Sequence, residues 1–181
     1  MLADKLINTR LAVFAELLER ADQRFGRTAL MKLCYFLQAL KGVQLGYDFS
    51  LYAYGPFDSE VLADLRVAED FSVIESSVVN FPGGYQYQLS LGENAKVFKT
   101  AARDFLKSNQ AAISWVVENF AARPAAELEL LSTIVYVDHQ GRVSDEAALR
   151  DKVKSIKAHF GLSEISQKIK LLREMGLLVT V

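Results

Sequence analysis

The sequence predicts an α+β fold, mostly helical, and three observations carry that prediction. Apolar residues recur at helical spacing through most of the chain. One segment reads as two β-like runs around Pro82-Gly83-Gly84, and the N-terminal elements fall in the order helix, helix, short strand, helix, hairpin. That is the order of a winged helix, in which three helices pack on a small antiparallel sheet whose hairpin is the wing. Residues 1–122 are therefore expected to form a winged-helix-like region with a long following helix. Residues 123–181 are expected to form a helical region containing a second helix-turn-helix-like unit, the two making one compact body.

The first helix is expected over 3–25, where Ile7, Leu11, Phe14, Leu18, Ala21 and Phe25 share a face and Arg10, Glu16, Glu19, Arg20 and Arg24 lie mostly off it. Gly26 breaks it and Thr28 can cap the next, 29–40. The run TALMKLCYFLQAL there is apolar almost all round, which makes the helix central and Cys34 a small buried hydrophobe. Phe49–Tyr54 alternates as a short strand, Gly55-Pro56 signals a turn, and Asp58 or Ser59 caps a helix over 59–69. Val73–Phe81 and Tyr85–Leu89 form the hairpin.

Ser90 and Glu93 have the spacing of a capping box for a long helix to about residue 121, continuous or broken near Ser108-Asn109. Pro124 suits a first helical position ahead of the apolar helix 125–137. Ser144 caps 145–160, whose stripe is Leu149, Val153, Ile156 and Phe160. Gly161-Leu162-Ser163 turns into 164–175, and Leu177–Val181 reads as a strand in need of a partner.

Composition narrows the function classes. The 181 residues are 51% apolar, which is globular, and a chain of this length buries roughly 70% of its unfolded surface without a disulfide or metal staple. With 21 bases against 22 acids, the chain lacks the footprint of a generic nucleic-acid binder. One cysteine and two histidines offer little for a zinc site, and neither a metal nor a cofactor is expected. The start Met1-Leu-Ala-Asp-Lys is not basic-then-apolar, and no apolar run approaches the roughly 18 residues of a membrane span. The expectation is a cytoplasmic protein with no membrane partner and no catalysis. His139 after Asp138 has no nucleophile motif beside it and suits the end of a helix dipole.

The stretch Thr28-Ala-Leu-Met-Lys-Leu-Cys-Tyr-Phe-Leu, followed by Leu51-Tyr-Ala-Tyr-Gly-Pro-Phe and a short helix, resembles the Panacea (SocA-like) antitoxin domain and related uncharacterised bacterial proteins. These pair a Lys-Leu-x-Tyr helix with a Tyr-Gly-Pro turn, and the likeness covers roughly residues 5–70. The resemblance implies a protein partner, a toxin among the candidates, and no enzymatic activity.

Two surfaces are candidate sites. Tyr52, Tyr54 and Phe57, around the Gly-Pro turn, offer aromatic area to a protein partner, the competing reading being that they pack beneath the wing. Helix 59–69 carries Glu60, Asp64 and Glu69 between Asp58 and Asp70, with Arg66 its one base, so it is a poor recognition helix for phosphates. The alternative nucleic-acid surface is C-terminal: Lys154 and Lys157 on one flank, Lys170 and Arg173 on another, with Lys168 and with Gln167 able to read adenine. A transcriptional regulator is thus the second function class. A second copy of the chain is also an expected partner, because helices 29–40 and 125–137 are so apolar and strand 177–181 is unpaired.

Overall fold

A computed structural model of the protein describes residues 2–21, 24–82 and 84–179, with the side chains of 2–4 and 81 outside that description. The chain clusters into two compact units. The first is Met1–Asp48 with Asp58–Arg123, and the second is Phe49–Phe57 with Pro124–Val181. The short segment 49–57 therefore leaves the N-terminal region and joins the C-terminal one. The α+β class is as expected: mostly helix, with two separate two-stranded antiparallel sheets.

In the first unit, α1 (Leu2–Arg20) and α2 (Arg27–Lys41) supply most of the core. Leu11, Phe14, Leu17, Leu30, Leu33, Phe36 and Leu37 are fully buried, and Phe36 stacks on Phe120 at 4.1 Å. Helix α1 stops at Arg20, short of the expected residue 25. Phe25 is buried all the same, but on extended chain whose carbonyl accepts from the Leu89 amide at 3.0 Å. Thr28 is not a cap. Gly26 occupies the N-cap, where a Cβ would meet the Tyr87 carbonyl at 2.5 Å. At the other end Gly42, at φ 65°, takes the left-handed position that lets its amide and that of Val43 close the last carbonyls of α2.

Helix α3 (Ser59–Asp70) is capped by Asp58, whose carboxylate accepts from the Glu60 amide at 2.8 Å. The hairpin β3 (Ile74–Phe81) and β4 (Gly84–Leu91) pairs Ile74 with Leu91 through Phe81 with Gly84; Gly83, in the expected turn, lies outside the described residues. That ladder corrects the capping box: Ser90 is still paired with Glu75 in the sheet, so Asn94 takes the N-cap of α4 (Ala95–Ala101). The expected long helix is broken both at Ala102 and, as the sequence hinted, at Asn109. This gives α5 (Arg103–Ser108), α6 (Gln110–Val116) and a wider π-turn over Val117–Ala121.

Three acids of α3, Glu60, Asp64 and Glu69, have partners within the unit. Arg10, buried on α1, donates to the Leu45 carbonyl (2.7 Å), the Gly46 carbonyl (2.8 Å), Glu60 (3.0 Å) and Asp64 (3.2 Å), and its guanidinium lies 4.2 Å from the Tyr47 ring centre. The Tyr47 hydroxyl donates to Asp64 at 2.8 Å, and Gln38 brackets the Tyr47 backbone. Burial raises the Asp64 carboxyl above its usual range, although Tyr47 and Arg10 both favour its charged form. Glu69 bonds Arg27 and Ser76. Cys34 is wholly buried, and burial pushes its thiol far from ionisation.

The second unit consists of β1 (Ser50–Tyr52), β2 (Gly55–Phe57), α7 (Ala125–His139), α8 (Glu146–Ile156) and α9 (Leu162–Glu174). Pro124 stands at the N-cap of α7 rather than inside it, and Asp145 rather than Ser144 caps α8 by accepting from the Ala148 amide at 2.8 Å. Helix α8 ends at Ile156, four residues earlier than expected. Residues 177–179 are not a strand: Val179 donates its amide to buried Asp138 at 2.6 Å and the Leu177 carbonyl meets the His139 ring at 3.0 Å. Residues 180 and 181 lie outside the described residues. Among the described residues no helix is long and apolar enough to cross a membrane.

Candidate functional site

The Gly-Pro turn is not where the chain reverses. Ser50 pairs with Phe57, Leu51 with Pro56 and Tyr52 with Gly55, so Ala53-Tyr54 form the tip and Gly-Pro runs along the second strand. Gly55 at φ 87° supplies the positive-φ position that follows a two-residue tip, and Pro56, which has no amide to donate, fits an edge strand. A pair of three-residue strands has little stability of its own. Its shape comes from α7.

Three features of α7 hold the hairpin. Ser132 and Thr133 turn their hydroxyls back to the Glu129 carbonyl, at 3.1 and 2.7 Å, so that these short side chains stay close to the helix face. Gly55 lies against that face, where an added Cβ would be 3.1 Å from both hydroxyl oxygens and 3.3 Å from the same carbonyl. The third feature is a buried charge. Lys157, 1% exposed, donates from Nζ to Glu129 Oε1 at 2.6 Å and to the backbone carbonyl of Ala53 at the hairpin tip. The His159 Nε2 stands 3.6 Å from the same carboxylate on the solvent side.

This arrangement points the aromatic side chains outward. Tyr52 is 62% and Tyr54 73% exposed, while Phe57 is half-buried with its ring centre 5.2 Å from that of Tyr52. Two bare tyrosines on a fastened backbone can do what interface hot spots do: present rigid amphipathic area at small entropic cost.

The C-terminal bases are placed differently from one another. Lys157, expected on a solvent flank beside Lys154, is in the interior, because the chain leaves α8 at Lys157 with φ −118° and ψ 62°. Lys154 donates to the Ala158 and Phe160 carbonyls and so ties the segment that follows α8 back to the helix. Lys168 bonds Glu127 at 2.6 Å, Arg173 bonds Glu146, and Lys170 is 3.9 Å from Glu174. Gln167, Lys170 and Arg173 do come together, along one groove of about 470 Å³ with Ser163 and Ser166.

The residues that sequence reasoning missed are Glu129, Ser132 and Thr133. Their one signal was polarity inside an otherwise apolar helix, at positions facing no predicted partner. Among the described residues no group of three His, Cys, Asp or Glu side chains is arranged to hold a metal. No family model matches the chain, and the search of curated proteins found no match.

Proposed function

We propose that the protein is a non-enzymatic, cytoplasmic interaction module that grips a partner protein through the hairpin tip, with Tyr52 and Tyr54 as anchors and Phe57 as their backing. The observation that carries this reading is the exposure of two tyrosines on a backbone fastened by a buried lysine. A protein that needed the hairpin only for its own core would turn those rings inward. The likeness of Thr28–Leu37 and Leu51–Phe57 to the Panacea antitoxin domain agrees with it, and makes a toxin the first partner to try. The winged-helix-like character of the first unit belongs to the same proposal: α1, α2 and α3 precede the hairpin β3–β4 in the expected order, although β1 pairs with β2 and not with that hairpin.

The test is affinity capture with the native chain and with Tyr52→Ala/Tyr54→Ala, followed by titration calorimetry of the purified partner. The double variant is expected to bind at least about tenfold more weakly, in line with loss of two aromatic anchors. Equal affinity overturns the reading.

One observation favours the second reading, a DNA-binding regulator using residues 144–175: the shared groove of Gln167, Lys170 and Arg173. Against it stand the internal acceptors of Lys154, Lys157, Lys168 and Arg173. Duplex DNA binding at low salt that is abolished by Lys154→Ala/Lys168→Ala/Lys170→Ala/Arg173→Ala, with a shallower salt slope, would establish it.

A further inference from the structure

The first unit carries a groove of about 600 Å³ that the aromatic hairpin has no part in. Its walls are the C-terminal half of α1 and the outer face of α4 and α5. The cations along it, Arg20, Lys96, Lys99, Arg103 and Lys107, outnumber its carboxylates, Glu16 and Glu19. They fall into two layers.

The inner layer is neutralised. Buried Glu16 accepts from Arg20 at 2.5 Å and from Lys99 at 2.7 Å, and Lys99 also bonds Glu19. Burial alone would raise the Glu16 carboxyl, but these two cations hold it below its usual value, and the same carboxylates keep Lys99 above its own. The outer layer is Lys96, Arg103 and Lys107. All three are exposed, and among the described residues none has a carboxylate within ion-pair distance. Three unpaired cations on a neutralised floor make a surface that gains from an incoming anion without breaking a bond of its own.

We propose that this groove docks an acidic helical segment of a partner protein, whose carboxylates pair with Lys96, Arg103 and Lys107. Spacing argues for a helix. Arg103 and Lys107 are four residues apart on α5, roughly 6 Å along its axis, the rise between carboxylates at i and i+4 on a helix lying antiparallel alongside, and Lys96 on α4, across the break at Ala102, faces the continuation of that helix toward i+11. Leu106, itself largely buried, lines the groove among these bases. A nucleic acid fits less well. Its phosphates form an unbroken row that would meet Glu16 and Glu19, and residues 1–122 hold 12 bases against 14 acids, so no long-range field draws a polyanion in. The proposal does not rest on the hairpin reading.

The probe is a labelled helical peptide of about 18 residues with glutamates at i, i+4 and i+11, followed by fluorescence anisotropy with the full chain at low salt. Binding is expected that falls at least tenfold with Lys96→Gln/Arg103→Gln/Lys107→Gln. It should fall at least fivefold when the same glutamates are redistributed around the helix, and vanish when they are glutamines. Tyr52→Ala/Tyr54→Ala should bind the peptide like the native chain, which separates failure here from failure of the hairpin reading. The triple variant is checked by its melting curve, and the peptide controls decide the matter without it. Equal binding of the redistributed peptide reduces the groove to general charge attraction and overturns the proposal. So does tighter binding of a duplex DNA of matching charge, or no binding at all.

Discussion

In each unit a buried cation fastens an extended segment to helices, but one segment turns its side chains into its unit's core and the other turns them to solvent. In the first, Arg10 collects two backbone carbonyls and two carboxylates, and the segment it holds turns Val43, Leu45 and Tyr47 into the core. In the second, Lys157 takes one carbonyl and one carboxylate, and the segment it holds turns Tyr52 and Tyr54 outward. The same device thus serves packing in one place and display in the other. A planar guanidinium with five donors suits the closed, multiply bonded site, and a compact ammonium suits a single tether.

Arg10→Ala should have the largest effect. It leaves Asp64 buried without its cation and the Leu45 and Gly46 carbonyls unpaired, a loss of about 4 kcal/mol or more in urea denaturation. Lys157→Ala should follow at about 3 kcal/mol, because Glu129 then keeps a buried charge with no lysine beside it. Lys157→Met with Glu129→Leu should recover most of that stability while leaving the hairpin untethered. If the double variant is as unstable as the single one, the lysine contributes more than charge compensation. Gly55→Ala should cost about 1–3 kcal/mol from its positive φ and the crowding against α7, measured by the same denaturation curve. Smallest of all, Tyr52→Ala/Tyr54→Ala should stay within about 0.5 kcal/mol of the native chain, as expected for side chains that serve display. A larger loss would place those rings in the core's service.

How much of this was legible depended on whether the signal was local. The inward Leu149 and Val153 of α8, the Asp58 cap and the long hairpin 74–91 are local patterns, and the chain obeys them. The hairpin tip is not legible locally, because Gly55-Pro56 has the composition of a turn, whereas the contact that decides its place is with Ser132 and Thr133 far along the chain. The interior place of Lys157 is hidden for a related reason. Helical spacing puts it beside Lys154 only if α8 continues, and the end of α8 at Ile156 is not written in any Gly or Pro. The bases Lys96, Arg103 and Lys107 lie at helical spacing in plain view. What the sequence withheld is which bases the fold would pair, since Glu16, which pairs with Lys99, comes from a different helix.

Backbone amide hydrogen exchange on Lys157→Met/Glu129→Leu tests the tether most directly, because both held segments report in one experiment. Amides of residues 50–57 should lose at least about tenfold in protection, while those of residues 43–47, held by Arg10, keep theirs. Unchanged protection across 50–57 would contradict the account, since the hairpin would then stand without the lysine that is here given the task of holding it.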